Sequence, residues 1–378
     1  MKRVFFYVQH LLGVGHVYRA TRIAHGMKRG GFDVHLVWGG TQLPGFDFSG
    51  LNVHHLTPVR TSDFSFSQLL HADGSEFSEE DKQRRMVELI RLFDKIQPHV
   101  LLTEAFPFGR RQMRFELLPL LDKARASDPK PLIVSSIRDI MQENRKASRV
   151  EESNALIMGY FDLVLVHGDE NLIRIEETLQ GVDTFESKIR YTGLVTPNPP
   201  SKNSAGKSTN VLVSVGGGAF GKNLLMTALE ASPLCKSFMD GWLITTGTEM
   251  SEDAFQTVKA NAPSGVTIVR HIADMVSALQ STRVSVSHSG YNTVGDILQA
   301  GCSSVLYPYV GGRETEQFRR AEMMHKLGIA NMVHPEKFSP ETLAAAIDEA
   351  ADFMPGSISL DMNGADNTAK ILTTALKS

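Results

Sequence analysis

Only two cysteines, Cys235 and Cys302, occur in 378 residues, too few for a disulfide framework or a cysteine-rich zinc site. A reducing compartment is the economical reading, so the chain is expected in the cytoplasm. No stretch approaches the ~20 apolar residues that a membrane-spanning helix needs. Net charge is scarce as well: the formal value is -3, which offers no electrostatic grip on nucleic acid. There is no low-complexity tract, no short repeat and no sign of an obligate protein partner. The opening MKRVFFYVQHLLGVGH has a basic pair and an apolar run, yet Gln9 and His10 interrupt the run and no small-residue cleavage site follows. It reads as a first buried strand.

What is present is ordinary in bulk, with 42% hydrophobic and 21% charged residues, and the length suits two domains better than one core. Short apolar runs alternate with amphipathic stretches. Strands are predicted at Val4–Val8, Val34–Val37, Val53–Leu56, Val100–Thr103, Leu132–Ser136 and Leu163–Val166, and helices at Val17–Lys28, Glu79–Ile96 and Gln112–Ala126. Runs this apolar suit strands buried on both faces of a parallel sheet. The rhythm implies right-handed βαβ units and a doubly wound α/β fold. It stops at TPNPPSKNSAGKST, residues 196–209, a linker composition. It resumes with Asn210–Val215, Trp242–Thr245, Val266–Val269, Val284–Ser287 and Ser304–Tyr307. The expected domains are 1–197 and 210–355, joined by 198–209, with a helix in 356–378 returning to the first. The AGKS at 205–208 is a false P-loop, because Ser201 stands where glycine is required.

Three motifs carry chemistry. LLGVGH at 11–16 lies between a strand and a helix. Gly13 and Gly15 permit close backbone approach to a ligand, and His16 titrates near neutrality and can take a proton from a hydroxyl. A tight turn with a capping histidine explains the same residues equally well. VSVGGGAFG at 213–221 repeats the strand, glycine turn, helix order, and Gly217 and Gly218 suit a diphosphate cradle. The third motif runs from RHIADM at 270–275 through VSVSHSGYNTVGDILQAG to VLYPYVGGRETEQFRRA. His288, Ser289 and Gly290 end a strand there, and Asn292 and Thr293 open a helix, a junction that suits phosphate oxygens. Asp296 lies one turn on, placed to accept from ribose hydroxyls. Glu316 and Gln317 start another helix and can read sugar hydroxyls.

This order of motifs resembles the GT-B glycosyltransferases, and most nearly the MurG-like family that completes the lipid-linked peptidoglycan precursor. The matching residues are Gly15-His16, Gly216-Gly217-Gly218, Ser289-Gly290-Tyr291-Asn292-Thr293 with Asp296, and Glu316-Gln317. The likeness is dense over about 270–335. Gly218 stands for a serine, Asp296 for a glutamate and Glu316 for a glutamine, which leaves the transferred sugar open. The segments FPFGRRQMRFELLPLL at 106–121 and VGGRETEQ at 310–317 look more like a separate bacterial branch. The resemblance implies two Rossmann-like domains facing a cleft and inverting transfer from a nucleotide-diphosphate sugar, a UDP-sugar such as UDP-GlcNAc, to an unidentified acceptor. It implies His16 as the base, the nucleotide base near Ile272, the diphosphate at Ser289 and Thr293, and ribose at Asp296. No Asp-x-Asp occurs, so neither a metal nor a cofactor is expected. A UDP-sugar hydrolase and a sugar-nucleotide sensor are the competing readings of the same donor site.

Other residues admit more than one role. Arg110, Arg111 and Arg114 beside Phe106 and Phe108 suit a solvated helix face, an acceptor phosphate or peripheral contact with the inner face of the plasma membrane. Arg138 follows a strand and suits either an acceptor contact or a pair with Asp139. Arg313 suits donor phosphate or water. His54 and His55 lack a ligand partner at metal spacing and read as structural.

Overall fold

The computed structural model describes residues 1–11, 15–41, 46–61, 68–142, 146–199, 206, 208, 209–215, 221–248, 250–311, 315–353, 356 and 359–377. They form two compact units: unit 1, Met1–Val195 with Leu360–Ser378, and unit 2, Thr196–Ser359.

Unit 1 begins β1 (Arg3–Val8), α1 (Gly15–Arg29), β2 (Asp33–Trp38) and β3 (Asn52–His55). A short antiparallel ribbon of β4 (Arg60–Thr61) and β5 (Leu69–Leu70) precedes α2 (Glu79–Ile96). Then come β6 (Val100–Glu104), α3 (Arg114–Arg125), β7 (Leu132–Arg138), α4 (Ala147–Tyr160), β8 (Leu163–His167) and β9 (Ile189–Tyr191). The seven longer strands form a parallel sheet in the order β3-β2-β1-β6-β7-β8-β9. Its first strand is buried from Val4 to Val8, as a strand covered by helices on both faces must be. Tyr7 sits in register between Val37 and Thr103. Helix α2 starts with a capping box between Ser78 and Asp81 and buries Arg85, Leu89, Phe93 and Ile96 along one stripe.

Unit 2 contains β10 (Thr209–Ser214), α5 (Lys222–Ala231), β11 (Trp242–Thr245), α6 (Glu252–Ala260), β12 (Val266–Val269) and α7 (Met275–Gln280). It continues with β13 (Thr282–Ser287), α8 (Tyr291–Ala300), β14 (Ser303–Leu306), α9 (Glu316–Lys326), β15 (Asn331–Met332) and α10 (Pro340–Ala351). Its parallel sheet has the order β12-β11-β10-β13-β14-β15, the doubly wound arrangement. Val213 pairs with Ile244 on one side and Val286 on the other. The chain then re-enters unit 1 as α11 (Gly364–Ala375). No helix among the described residues is long and apolar enough to cross a membrane.

Two packing features fix the elements of unit 1 against one another. A buried polar cluster holds the end of β1. Arg85 and Glu116, both fully buried, pair at 2.7 Å, and Tyr7 donates to Glu116 Oε1 at 2.5 Å. Arg85 Nη2 donates to Gln9 Oε1 at 2.6 Å. The Gln9 amide donates onward to the carbonyls of His10, Gly39 and Val59. Charges so deep are tolerated only when partnered this completely. A Cβ at Gly39 would lie 2.1 Å from Gln9 Oε1, so only glycine admits the amide.

The second feature is the crossing of α1 and α11, where Gly26 and Gly30 meet Ala365 and Ala369. A Cβ built on Gly26 falls 2.3 Å from the Ala365 carbonyl oxygen, a backbone atom that cannot step aside alone. Gly26→Ala is therefore expected to destabilise the protein by about 1–3 kcal/mol through overpacking. Gly159→Ala near the end of α4, where nothing lies within 4 Å, is expected to gain about 0.5 kcal/mol. Urea unfolding of both variants tests the contrast. Equal midpoints would refute it.

Candidate active site

Each sheet grows in both directions from its first strand, so each has a switch point: β1 beside β6 in unit 1, and β10 beside β13 in unit 2. Loops leaving adjacent strands for opposite faces open a crevice there at the carboxyl ends. In unit 1 that edge carries Gln9 to Leu11, Gly15 and the segment from Ala105 to Met113. In unit 2 it carries Val215, Gly221 and His288 to Gly290. Gly13, Gly217, Gly218 and Arg313 lie outside the described residues.

In unit 1, Gly15 is exposed and opens α1, and His16 follows half-buried. His16 Nε2 is buried with no hydrogen-bond partner among the described residues. Burial, the Arg110 guanidinium, His10 and Arg19 hold its pKa well below the usual histidine value, against a hydrogen bond to the Gln9 backbone. The imidazole is thus neutral at pH 7, the form a general base needs. The His10 ring stacks on it with centroids 5.6 Å apart, and on Trp38 at 6.1 Å.

The arginine cluster divides. Arg111 and Arg114 bind Glu152 on α4, and Arg111 is half exposed, as a solvated face requires. Arg110 instead turns inward: its side chain is 14% exposed and its Nη2 lies 3.6 Å from Glu104, which is 1% exposed. Glu104 also receives Arg19 at 2.7 Å. The reason is backbone: Ala105 and Arg110 have φ of 65° and 57°, a left-handed conformation that costs about 1–3 kcal/mol in a residue with a side chain. Arg138 ends β7 half-buried, and the adjacent Asp139 is fully buried.

In unit 2, Gly290 is the N-cap of α8 and offers no side-chain cap. A Cβ there would meet nothing nearer than Thr293 Oγ1 at 3.9 Å. The first turn, with Asn292 and Thr293 half-buried, directs amides and the positive end of the helix dipole at an open position. Asp296 is half-buried one turn later, and Ile272 is half-buried between β12 and α7. His288 donates from Nδ1 to the Tyr307 carbonyl at 2.7 Å.

Two residues assigned from sequence to the donor make bonds within the protein. Ser289 is fully buried, and its hydroxyl donates to the Gln317 carbonyl at 2.7 Å, so it braces the loop instead of presenting a hydroxyl to phosphate. Glu316 is 5% exposed and its Oε1 receives Arg320 Nη2 at 2.9 Å, so it is not an open carboxylate for a sugar. Arg320, itself buried, also donates from Nη1 to the Ser289 carbonyl at 3.0 Å. Gln317 accepts the Tyr309 N–H at 3.1 Å through Oε1. Together these bonds tie the start of α8 to the start of α9. Arg320 was legible in principle, standing four residues after Glu316 on one helix face. Its loss would remove a buried partner from both the Glu316 carboxylate and the Ser289 carbonyl, and Arg320→Ala is expected to cost about 3–5 kcal/mol in thermal or chemical denaturation. A loss under 1 kcal/mol would count against the brace.

Residues 212–364 match the glycosyltransferase family 28 C-terminal domain. The chain is 25% identical over 173 residues to the uncharacterized glycosyltransferase MK0977 of Methanopyrus kandleri, covering 45% of this chain and 46% of that one. It is 25% identical over 180 residues to the UDP-N-acetylglucosamine–N-acetylmuramyl-(pentapeptide) pyrophosphoryl-undecaprenol N-acetylglucosamine transferase of Thermotoga neapolitana, covering 47% and 49%. The chain thus spans about half the length of the curated relatives it matches. Among solved structures, MurG of Acinetobacter baumannii superposes with a TM-score of 0.62 at 14% identity, covering 100% of this chain and 99% of that one. The glycotransferase of kitacinnamycin gives a TM-score of 0.62, also at 14% identity, covering 100% and 98%. Residues 212–364 are thus similar to the glycosyltransferase family 28 C-terminal domain, and the chain has the GT-B fold of these solved structures.

Proposed function

We propose that this protein is an inverting glycosyltransferase that moves a sugar from a nucleotide-diphosphate donor, a UDP-sugar such as UDP-GlcNAc, to an acceptor held by unit 1. The observation that carries the reading is the uncapped start of α8 at the switch point of a family 28 domain. A diphosphate seated there meets backbone amides and a helix dipole, which stabilise the charge that develops on the leaving group without a metal ion.

In this reading Gly290, Asn292 and Thr293 take the diphosphate together with Gly217 and Gly218 of the glycine loop, and Gly13 and Gly15 line its path. Ile272 flanks the base, Asp296 holds ribose and Gln317 faces the sugar. Glu316 acts through Arg320. The acceptor hydroxyl attacks the anomeric carbon, the bond from that carbon to the diphosphate oxygen breaks, and the nucleoside diphosphate leaves with the electron pair. His16 Nε2 receives the hydroxyl proton. Arg110 and Arg138 flank the acceptor, and Arg313 the donor phosphate. Synthesis of a cell-surface polysaccharide or glycolipid at the inner face of the plasma membrane is the setting that fits such a donor.

His16→Ala is expected to lower kcat by about 10²–10⁴-fold while donor binding measured by calorimetry stays unchanged. Because the His16 pKa is lowered, the base is already deprotonated at pH 6.5. The acidic limb of kcat/KM therefore falls well below that pH, and activity is lost only as pH drops through the depressed value. A limb at or above pH 6.5 would argue against His16 as the base. In a thermal-shift series, UDP-sugars are expected to stabilise the protein, by about 2.7 kcal/mol at a hundredfold excess over Kd. Stabilisation by dTDP- or GDP-sugars alone would overturn the uridine assignment.

A further inference from the structure

The His16 ring stacks on that of His10 at 5.6 Å and faces the backbone of the preceding residue, Gln9, and nothing in the proposed transfer step accounts for how Gln9 itself is held. Gln9 is fully buried, and every polar atom of its side chain is engaged. Its oxygen accepts from Arg85 Nη2 at 2.6 Å, with Tyr7 OH 3.3 Å away. Its nitrogen reaches the carbonyls of His10, Gly39 and Val59 at 3.0, 2.8 and 3.2 Å. Arg85 is anchored in turn by both oxygens of Glu116, at 2.7 and 3.1 Å, and by the carbonyl of Gly39 at 2.9 Å. The cluster draws on β1, α2 and α3, the rigid elements of unit 1, and ends on the peptide that His16 touches.

A bare ion pair at this depth does little for stability compared with apolar residues of similar volume. What a completely bonded polar cluster supplies is one defined arrangement. Here that arrangement fixes the backbone of Gln9 and His10, and His10 also stacks on the His16 ring. A neutral imidazole works as a base only when one nitrogen holds its proton against a fixed acceptor and leaves the other bare. His16 turns one side toward the Gln9 backbone and holds a buried Nε2 without a partner among the described residues.

We infer that Tyr7, Arg85, Glu116 and Gln9 are positioning residues for His16, a buried relay that sets the orientation and tautomer of the base through the Gln9 backbone. The inference rests on the assignment of His16 as the base of the transfer reaction. Tyr7→Phe removes one hydroxyl and leaves the Arg85–Glu116 pair intact, so it is the primary variant, and Gln9→Met is the second.

In protein labelled with ¹⁵N-histidine, the wild type is expected to show one neutral tautomer of His16, and both variants a mixture. Where turnover is measured, kcat is expected to fall about tenfold, as for a misplaced catalytic group, with the KM for donor unchanged. Folded variants with a wild-type tautomer and wild-type kcat would overturn the inference, whatever their loss in Tm. If Gln9→Met fails to fold, Tyr7→Phe decides alone. The tautomer needs no turnover, so if no donor and acceptor react even with the wild type, the transferase reading fails while the relay is still judged by the spectrum.

Discussion

Crossovers between parallel strands favour one hand, and both sheets of this protein grow outward from their first strand. The result is that the chain must leave adjacent strands toward opposite faces at one place in each sheet. Nothing in the core can fill that place, because the backbone itself diverges there. The described candidate residues gather at these two gaps: Gln9, His10, Gly15 and His16 with Glu104 to Arg110 in one unit, and His288 to Thr293 in the other. Strand order thus decides where chemistry is available before any side chain is chosen.

Side chains then decide how firmly each gap is held. Three buried arginine–glutamate pairs stand beside them: Arg85–Glu116 and Arg19–Glu104 in unit 1, and Arg320–Glu316 in unit 2. Loops at a switch point expose carbonyls that no strand or helix partner satisfies. A guanidinium suits this task, since its five donors in a planar fork can bind a carboxylate and a carbonyl together. Arg320 does so with Glu316 and the Ser289 carbonyl, and Arg85 with Glu116 and the Gly39 carbonyl.

Much of the fold was legible because strands buried on both faces are continuous apolar runs, and Trp242–Thr245 and Val266–Val269 begin and end where the runs do. What escaped was short or weakly patterned. β9 is Ile-Arg-Tyr at a sheet edge, where one neighbour and a half-exposed face leave little apolar signal, and β15 has only two residues. The pairing of Glu316 with Arg320 was hidden because a carboxylate at a helix start looks the same whether it faces water or a buried arginine. Arg110 was misread as one of three alike, since its φ of 57°, which turns it away from Arg111 and Arg114, leaves no mark in composition. Tyr7, Arg85 and Glu116 are far apart in the chain, and only folding brings them together.

The chain leaves unit 1 beside the point where it returns. Leu194 and Asp361 are joined backbone to backbone at 2.7 Å, Gly364 donates to the Leu194 carbonyl at 3.0 Å, and Asp169 receives the Asp361 N–H at 2.6 Å. Unit 2 is therefore an insertion in the body of unit 1, closed at its neck by a few hydrogen bonds. During synthesis the ribosome delivers all of unit 2 before α11 exists. Until then the Gly26–Gly30 groove of α1 stays wet, and the first unit to begin is the last to be completed.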